Sequence, residues 1–285
     1  RLLEPADKAR LTATTIGPQP GQVVAAISAD EPVRARLRLS YEITTLQAEV
    51  SYSLTLDPAR QQLALQADLT VRNNGKRDLR RAQATLAQGQ QTTLSLRVGE
   101  TVQRQLLTVP DLPYAISYLY DNGRFKDTVR TLLTIPAEAR AKTPLPAGKA
   151  RLYAPDASGG RTLVAEAAMA YAPAGEKVEL DLGAAPELAV LRTRVRSDQV
   201  NVRTDVYHKL ALFDLDEEYE LELSNRRPGP VTLVVRERVP GDWQLVRSSQ
   251  QPEQTDAGTL EWAIRLTAGA QEKLTYSVKR LNVEP

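Results

Sequence analysis

The chain contains no cysteine, a single histidine (His208), one methionine and only two tryptophans and two phenylalanines among its 285 residues. Without cysteine there is no disulfide, thiolate metal ligand or cysteine nucleophile. With one histidine, neither a multi-histidine metal centre nor a relay between two imidazoles forms within one chain. No apolar run approaches the roughly 20 residues that a membrane-spanning helix requires. A charge excess of one sign is also missing: 37 basic residues face 35 acidic ones, for a net +2. A nucleic-acid binder concentrates positive charge far more strongly, so no nucleic-acid partner is expected. No Walker-type or glycine-rich phosphate loop and no Gly-x-Ser-x-Gly elbow occurs, so no cofactor and no catalytic role are expected.

What the chain does contain is alternation of apolar and polar residues, interrupted by turn residues. Leu63, Leu65, Ala67, Leu69 and Val71 recur at every second position, as do Leu37 to Ile43, Val50 to Leu56, Tyr219 to Leu223 and Leu274 to Val278. Period two puts these side chains on one face of a strand and leaves the other face wet. Asp57-Pro58, Asn73-Asn74-Gly75 and Asp121-Asn122-Gly123 supply turns, because Asn and Gly tolerate positive φ. Gly99-Glu100 and Asp121-Asn122-Gly123 read as hairpin turns, and Leu79–Leu86 reads as a strand. No segment holds a 3.6-residue apolar period over 11 residues, so helix content should be low.

At this length two domains are expected. Residues 1–33, rich in Pro and Gly, read as an extended entry segment with one short strand over Gln22–Ala29. Residues 34–140 and 141–285 then form two consecutive antiparallel β-sandwiches, divided by the unpatterned stretch 136–146. The fold class is all-β, the C-terminal sandwich being immunoglobulin-like.

Several segments carry a family resemblance. They are Leu145-Pro146-Ala147-Gly148-Lys149-Ala150-Arg151-Leu152-Tyr153, Leu182-Gly183, Tyr219 through Asn225, Glu237 through Trp243, and Trp262 with Leu266 and Tyr276. Ala48–Leu56 and Ala67–Asn73 extend them upstream. On these residues the chain resembles the mucoidy-inhibitor-like family. The resemblance implies tandem β-sandwich modules without assigned chemistry, often in bacterial envelope proteins, and supplies no catalytic residues. Members usually carry a coiled-coil insertion or an N-terminal helical part, for which this sequence shows no pattern. An extracytoplasmic location follows as an expectation; the start at Arg1 rather than Met implies either a removed leader or a trimmed chain.

The strongest binding candidate is the strand Tyr114–Tyr120 with the tip after it. Tyr114, Ile116, Tyr118 and Tyr120 share a face, and Asn122, Arg124 and Phe125 lie at the 121–126 tip. An exposed face would be an aromatic strip suited to carbohydrate or protein; an inward face would be a core wall, which is the favoured reading. Trp243, after Pro240-Gly241-Asp242, either stacks on a sugar or seals a sandwich end, and the second is favoured. Trp262, alternating with Leu260 and Ile264, reads as core. Asp214-Leu215-Asp216-Glu217-Glu218 lacks the ligand spacing of an EF-hand loop and reads as a solvated acidic turn between two strands, with Ca²⁺ as the alternative. His208 would be the only candidate base of a hydrolase. The expected partner is another envelope protein or a second copy of the chain, met through strand edges, the 121–126 tip or the entry segment.

Overall fold

A computed structural model describes residues 44–86, 91–139, 144–204, 206–207 and 210–285, together with the backbone of four short strands nearer the N-terminus. Strands take up 70% of the residues and helix 1%, so the all-β expectation holds. The short strands are β1 (Leu3–Glu4), β2 (Arg10–Ile16), β3 (Val23–Ser28) and β4 (Arg38–Leu39); β1 pairs with β4 and β2 with β3. Next come β5 (Leu46–Asp57), β6 (Gln62–Asn73), β7 (Leu79–Thr85), β8 (Gln91–Leu96) and β9 (Thr101–Pro113). The middle of the chain gives β10 (Ala115–Asp121), β11 (Arg130–Ile135), β12 (Gly148–Pro155), β13 (Arg161–Met169) and β14 (Val178–Ala184). The remainder gives β15 (Leu188–Thr204), β16 (Leu210–Asn225), β17 (Val231–Arg238), β18 (Asp242–Ser248), β19 (Glu253–Asp256), β20 (Thr259–Leu266) and β21 (Gln271–Val283).

The larger sheets have the orders β14-β11-β10-β17-β20-β19, β13-β12-β5-β6-β9 and β15-β16-β21-β18, and β7 and β8 pair with each other. Two of these neighbours are parallel: β10 with β17, and β12 with β5. Strands from before and after residues 136–146 therefore share sheets. The stretch expected to separate a pair of consecutive antiparallel sandwiches does not separate them. Compactness divides the chain differently, into one unit of Arg1–Ala48, Val71–Ala82 and Leu94–Val102 and another of Glu49–Thr70, Gln83–Thr93 and Gln103–Pro285.

Period two explains the core of the second unit. Tyr118 and Tyr120 of β10, Leu221 and Leu223 of β16, Leu233 and Val235 of β17, Trp262 and Ile264 of β20, and Leu274, Tyr276 and Val278 of β21 meet in one buried cluster. Each comes from alternate positions, so each strand gives one face to the interior. Burying a side chain of this size contributes about 1.5–3 kcal/mol.

Two corners of the fold are built alike. In the first unit the buried Asn73 donates through Nδ2 to the carbonyls of Arg77 (2.8 Å) and Arg97 (3.2 Å), and its Oδ1 accepts from Gly75 N–H (3.0 Å). Its own N–H donates to Glu100 O, and Asn74 N–H donates to Thr45 O. In the second unit Asn225 donates through Nδ2 to the carbonyls of Gly229 (3.0 Å), Leu266 (3.3 Å) and Thr267 (2.8 Å), and Oδ1 accepts from Arg227 N–H (3.0 Å). Its N–H donates to Ala270 O, and Arg226 N–H donates to Glu187 O. Gly99 and Gly269 turn the facing strand at φ 76° and 69°, a conformation L-residues rarely adopt. The strand orders follow suit: β5-β6-β9 matches β15-β16-β21, and β7-β8 matches β17-β20. One strand pattern thus occurs twice. The second occurrence is enlarged by β18 and β19, which pair with β21 and β20 respectively. The turn at Gly99-Glu100 consequently joins strands that are not sheet neighbours and is not the expected hairpin.

Candidate functional site

The hairpin β10–β11 forms as expected, with Ala115 opposite Thr134 and Leu119 opposite Arg130. Its aromatic face points inward: Tyr118 is 9% exposed and Tyr120 1%. Tyr114 precedes the strand and is half-buried, and Ile116 is the one exposed member of the row, at 40%. The exposed aromatic strip is therefore absent, because the parallel partner β17 draws Tyr118 and Tyr120 into the core. Ile116 and the rim of Tyr118 open onto a shallow depression bounded by Arg227 to Thr232. There the Arg227 guanidinium lies 5.2 Å from the Tyr118 ring centre.

The 121–126 tip is tied down by its first two residues. Asp121, fully buried, accepts from the N–H groups of Gly123 and Arg124 and from Arg238 through Nε (3.1 Å) and Nη2 (3.0 Å). Asn122 donates to Glu237 Oε2 (2.7 Å) and accepts from Arg238 N–H (2.8 Å). Arg124 is exposed and Phe125 half-buried, the ring lying between the guanidinium groups of Arg124 (4.8 Å) and Arg130 (5.4 Å). Asn122 thus serves as a clamp, and Arg124 and Lys126 are exposed cations of the tip.

Behind the clamp lies a polar cluster that the sequence reading missed. Glu237, with no exposed surface, accepts from Tyr276 Oη (2.6 Å), Asn122 Nδ2 and Arg192 Nε (2.9 Å to Oε2). The Arg192 guanidinium stacks 3.9 Å from the Tyr219 ring centre, Tyr219 stacks on Tyr276 at 5.2 Å, and Trp262 packs on Tyr276 at 5.3 Å. Burial raises the Glu237 carboxyl above its ordinary value; Arg192 and the Tyr276 hydroxyl pull it back only in part. Burial, with the Glu237 charge, likewise raises the Tyr276 and Tyr120 phenols. At Asp121 burial works the other way from its partners, and the Arg238 bonds, the Gly123 N–H and the Arg236 charge prevail, holding its carboxyl below the usual range. The hydrogen-bonding capacity of both carboxylates is spent on groups of the chain. Their arrangement can lock β10, β15, β17 and β21 together, as a closed buried network does. A sequence signal existed: Val231, Leu233, Val235 and Glu237 keep strict alternation, which puts Glu237 on the inward face.

Trp243 is half-buried, packs against the core cluster and donates from Nε1 to Ala257 O (3.0 Å). Trp262 is buried and donates to Gln250 O (3.0 Å). The stretch Asp214–Glu218 is no turn. It lies within the continuous strand β16, whose carboxylates are paired by neighbouring strands: Glu217 with Arg194 (3.1 Å), Asp214 with Arg203 (3.0 Å) and Glu218 with Arg247 (2.5 Å). Opposite charges across the ladder let an acidic run stay extended. Among the described residues no group of three or more His, Asp or Glu could hold a metal ion, and no helix is long and apolar enough to cross a membrane. His208 lies outside the described residues.

Neither the search of protein-family models nor that of curated proteins gives a match to the chain.

Proposed function

We propose that the chain is a non-catalytic interaction scaffold of the bacterial cell envelope, holding another protein through exposed strand edges. One observation carries this reading: the edge strand β15 continues far past the core it helps to build. Leu188 and Val190 are buried, whereas Arg194 to Ser197 and Asn201 to Thr204 are exposed, Val195 and Val202 among them. Arg196–Thr204 spans about 30 Å at roughly 3.3 Å per residue. Its outer side pairs with no other strand among those described. An edge of this kind offers main-chain groups to an added strand, and side chains then select the partner. An immunoglobulin-like character of the second unit and the envelope location are supported by the resemblance of 145–153, 219–225 and 237–243 to mucoidy-inhibitor-like proteins.

The test is affinity capture from a bacterial envelope fraction, comparing the chain with Val195→Lys and Val202→Lys. A stoichiometric partner retained by the chain and lost in both variants is expected. A chain that captures nothing and sediments as a lone monomer would sink the proposal. The alternative of a carbohydrate platform on Tyr114, Tyr118 and Tyr120 loses its basis, since two of these three rings are in the core.

A further inference from the structure

The sheet edges are guarded unequally. β9 bears Arg104, Pro110, Asp111 and Pro113; β14 bears Glu179 and Asp181; β19 is four residues long with Glu253 and Asp256. Charge, proline and shortness all oppose the addition of another chain to an edge. β13 differs. It ends the order β13-β12-β5-β6-β9 and pairs only with β12 among the described strands. Between Arg161 and Glu166 run four uncharged residues, Thr162-Leu163-Val164-Ala165, of which Leu163 is 47% and Val164 52% exposed.

The charges around this apolar centre do not balance. The ladder puts Leu163 opposite Tyr153 and Glu166 opposite Arg151, with a bulge that leaves Val164 out of the pairing. Arg161, Leu163 and Glu166 therefore share a face with Lys149, Arg151 and Tyr153. Glu166 is bound by both Lys149 Nζ (2.6 Å) and Arg151 Nε (2.9 Å), and the Arg161 guanidinium lies 5.0 Å from the Tyr153 ring centre. Three cations thus have one carboxylate between them.

We infer that the β13 edge receives an extended strand of a partner protein, apolar at its two central positions and acidic on either side. The inference rests on the reading that the chain binds through strand edges, and it names a second edge and the chemistry of its partner. Main-chain bonds to β13 hold the strand, Leu163 and Val164 cover its apolar centre, and its carboxylates meet Arg161 and the Lys149–Arg151 pair. A second copy of β13 would set three cations against three and is disfavoured.

Fluorescence anisotropy with labelled synthetic hexapeptides tests this on the whole chain. The acidic peptide Glu-Thr-Val-Ile-Glu-Thr, whose two carboxylates fall on one face of a strand, should bind at least tenfold more tightly than its counterpart with Lys at both acidic positions. Its binding should fall at least tenfold in Val164→Asp and on raising salt from about 0.05 to 0.5 M. Leu191→Asp, on β15, should leave it unchanged. Equal affinity for the two peptides, binding indifferent to Val164→Asp, or no binding of the acidic peptide up to about 1 mM would overturn the assignment. So would sedimentation showing a dimer of the 31.4 kDa chain that Val164→Asp dissociates. Any of these outcomes leaves the envelope-capture result to be judged separately, because that test reads β15.

Discussion

Asn73 and Asn225 hold equivalent corners of the fold: each spends its amide on the carbonyl four residues ahead and on the strand opposite, and each accepts from the N–H two residues ahead. The corner needs both functions of a carboxamide, which no other side chain of that size offers.

Replacing Asn225 by Ala leaves three carbonyls without their donor, and a buried unpaired polar group costs about 1–3 kcal/mol. Asn225→Ala should therefore lower the unfolding free energy by roughly 2–5 kcal/mol. Asn225→Asp should cost more, since it keeps the acceptor but sets a negative charge against those carbonyls. Urea unfolding followed by tryptophan fluorescence checks both, because Trp243 and Trp262 lie in the same unit as Asn225.

Removing one partner of Glu237 strands a buried carboxylate. Arg192→Ala should cost about 3–5 kcal/mol and Tyr276→Phe about 1–3 kcal/mol, in the same unfolding assay. The double variant should cost clearly less than the sum of the two, since both act on one carboxylate. Full additivity would show that the network is not coupled.

Stability at acid pH should depend on Asp121. Its folded-state carboxyl titrates below the ordinary value of 3.8, so the folded form binds its proton less readily than the unfolded one. The stabilisation is present above 3.8 and is lost as pH falls through the lower folded value. Glu237 has the opposite sign: its raised value favours the folded state at low pH and loses that contribution as pH rises through it. Asp121→Asn should lower stability near neutrality and flatten the decline between about pH 4 and pH 2, as read from urea midpoints across that range.

Of the four tyrosines whose phenols burial raises, Tyr114, Tyr120, Tyr219 and Tyr276, two should resist ionisation most strongly. Tyr120 and Tyr276 are raised by burial and by the Glu237 charge, so ultraviolet titration should leave them protonated at about pH 11, where a solvated phenol near pKa 10 has largely ionised. Tyr276→Phe should then remove no amplitude below that pH.

Strands were legible wherever alternation was clean. β6 reads directly from Leu63, Leu65, Ala67, Leu69 and Val71, and the inward position of Trp262 follows from its neighbours. The stretch 214–218 misled because charge density suggests a turn, whereas the counter-charges that keep it extended come from β15, β18 and β21. Asn73 reads as an ordinary turn residue, and neither it nor Asn225 shows in sequence its distant carbonyl partners, Arg97 for the first and Leu266 and Thr267 for the second, which only the fold brings near. The clamp of Asn122 on Glu237 and Arg238 was hidden likewise: more than a hundred residues separate the partners, and nothing local announces them.

The parallel pairing of Tyr118 with Leu233 and Tyr120 with Val235 also bears on synthesis. Emerging from the ribosome, β10 must wait for more than a hundred residues before β17 exists to cover it, and closure over so long a loop is slow. During that interval Tyr118 and Tyr120 lack their final burial, so nascent chains stalled before residue 231 should be the ones that recruit chaperones or aggregate.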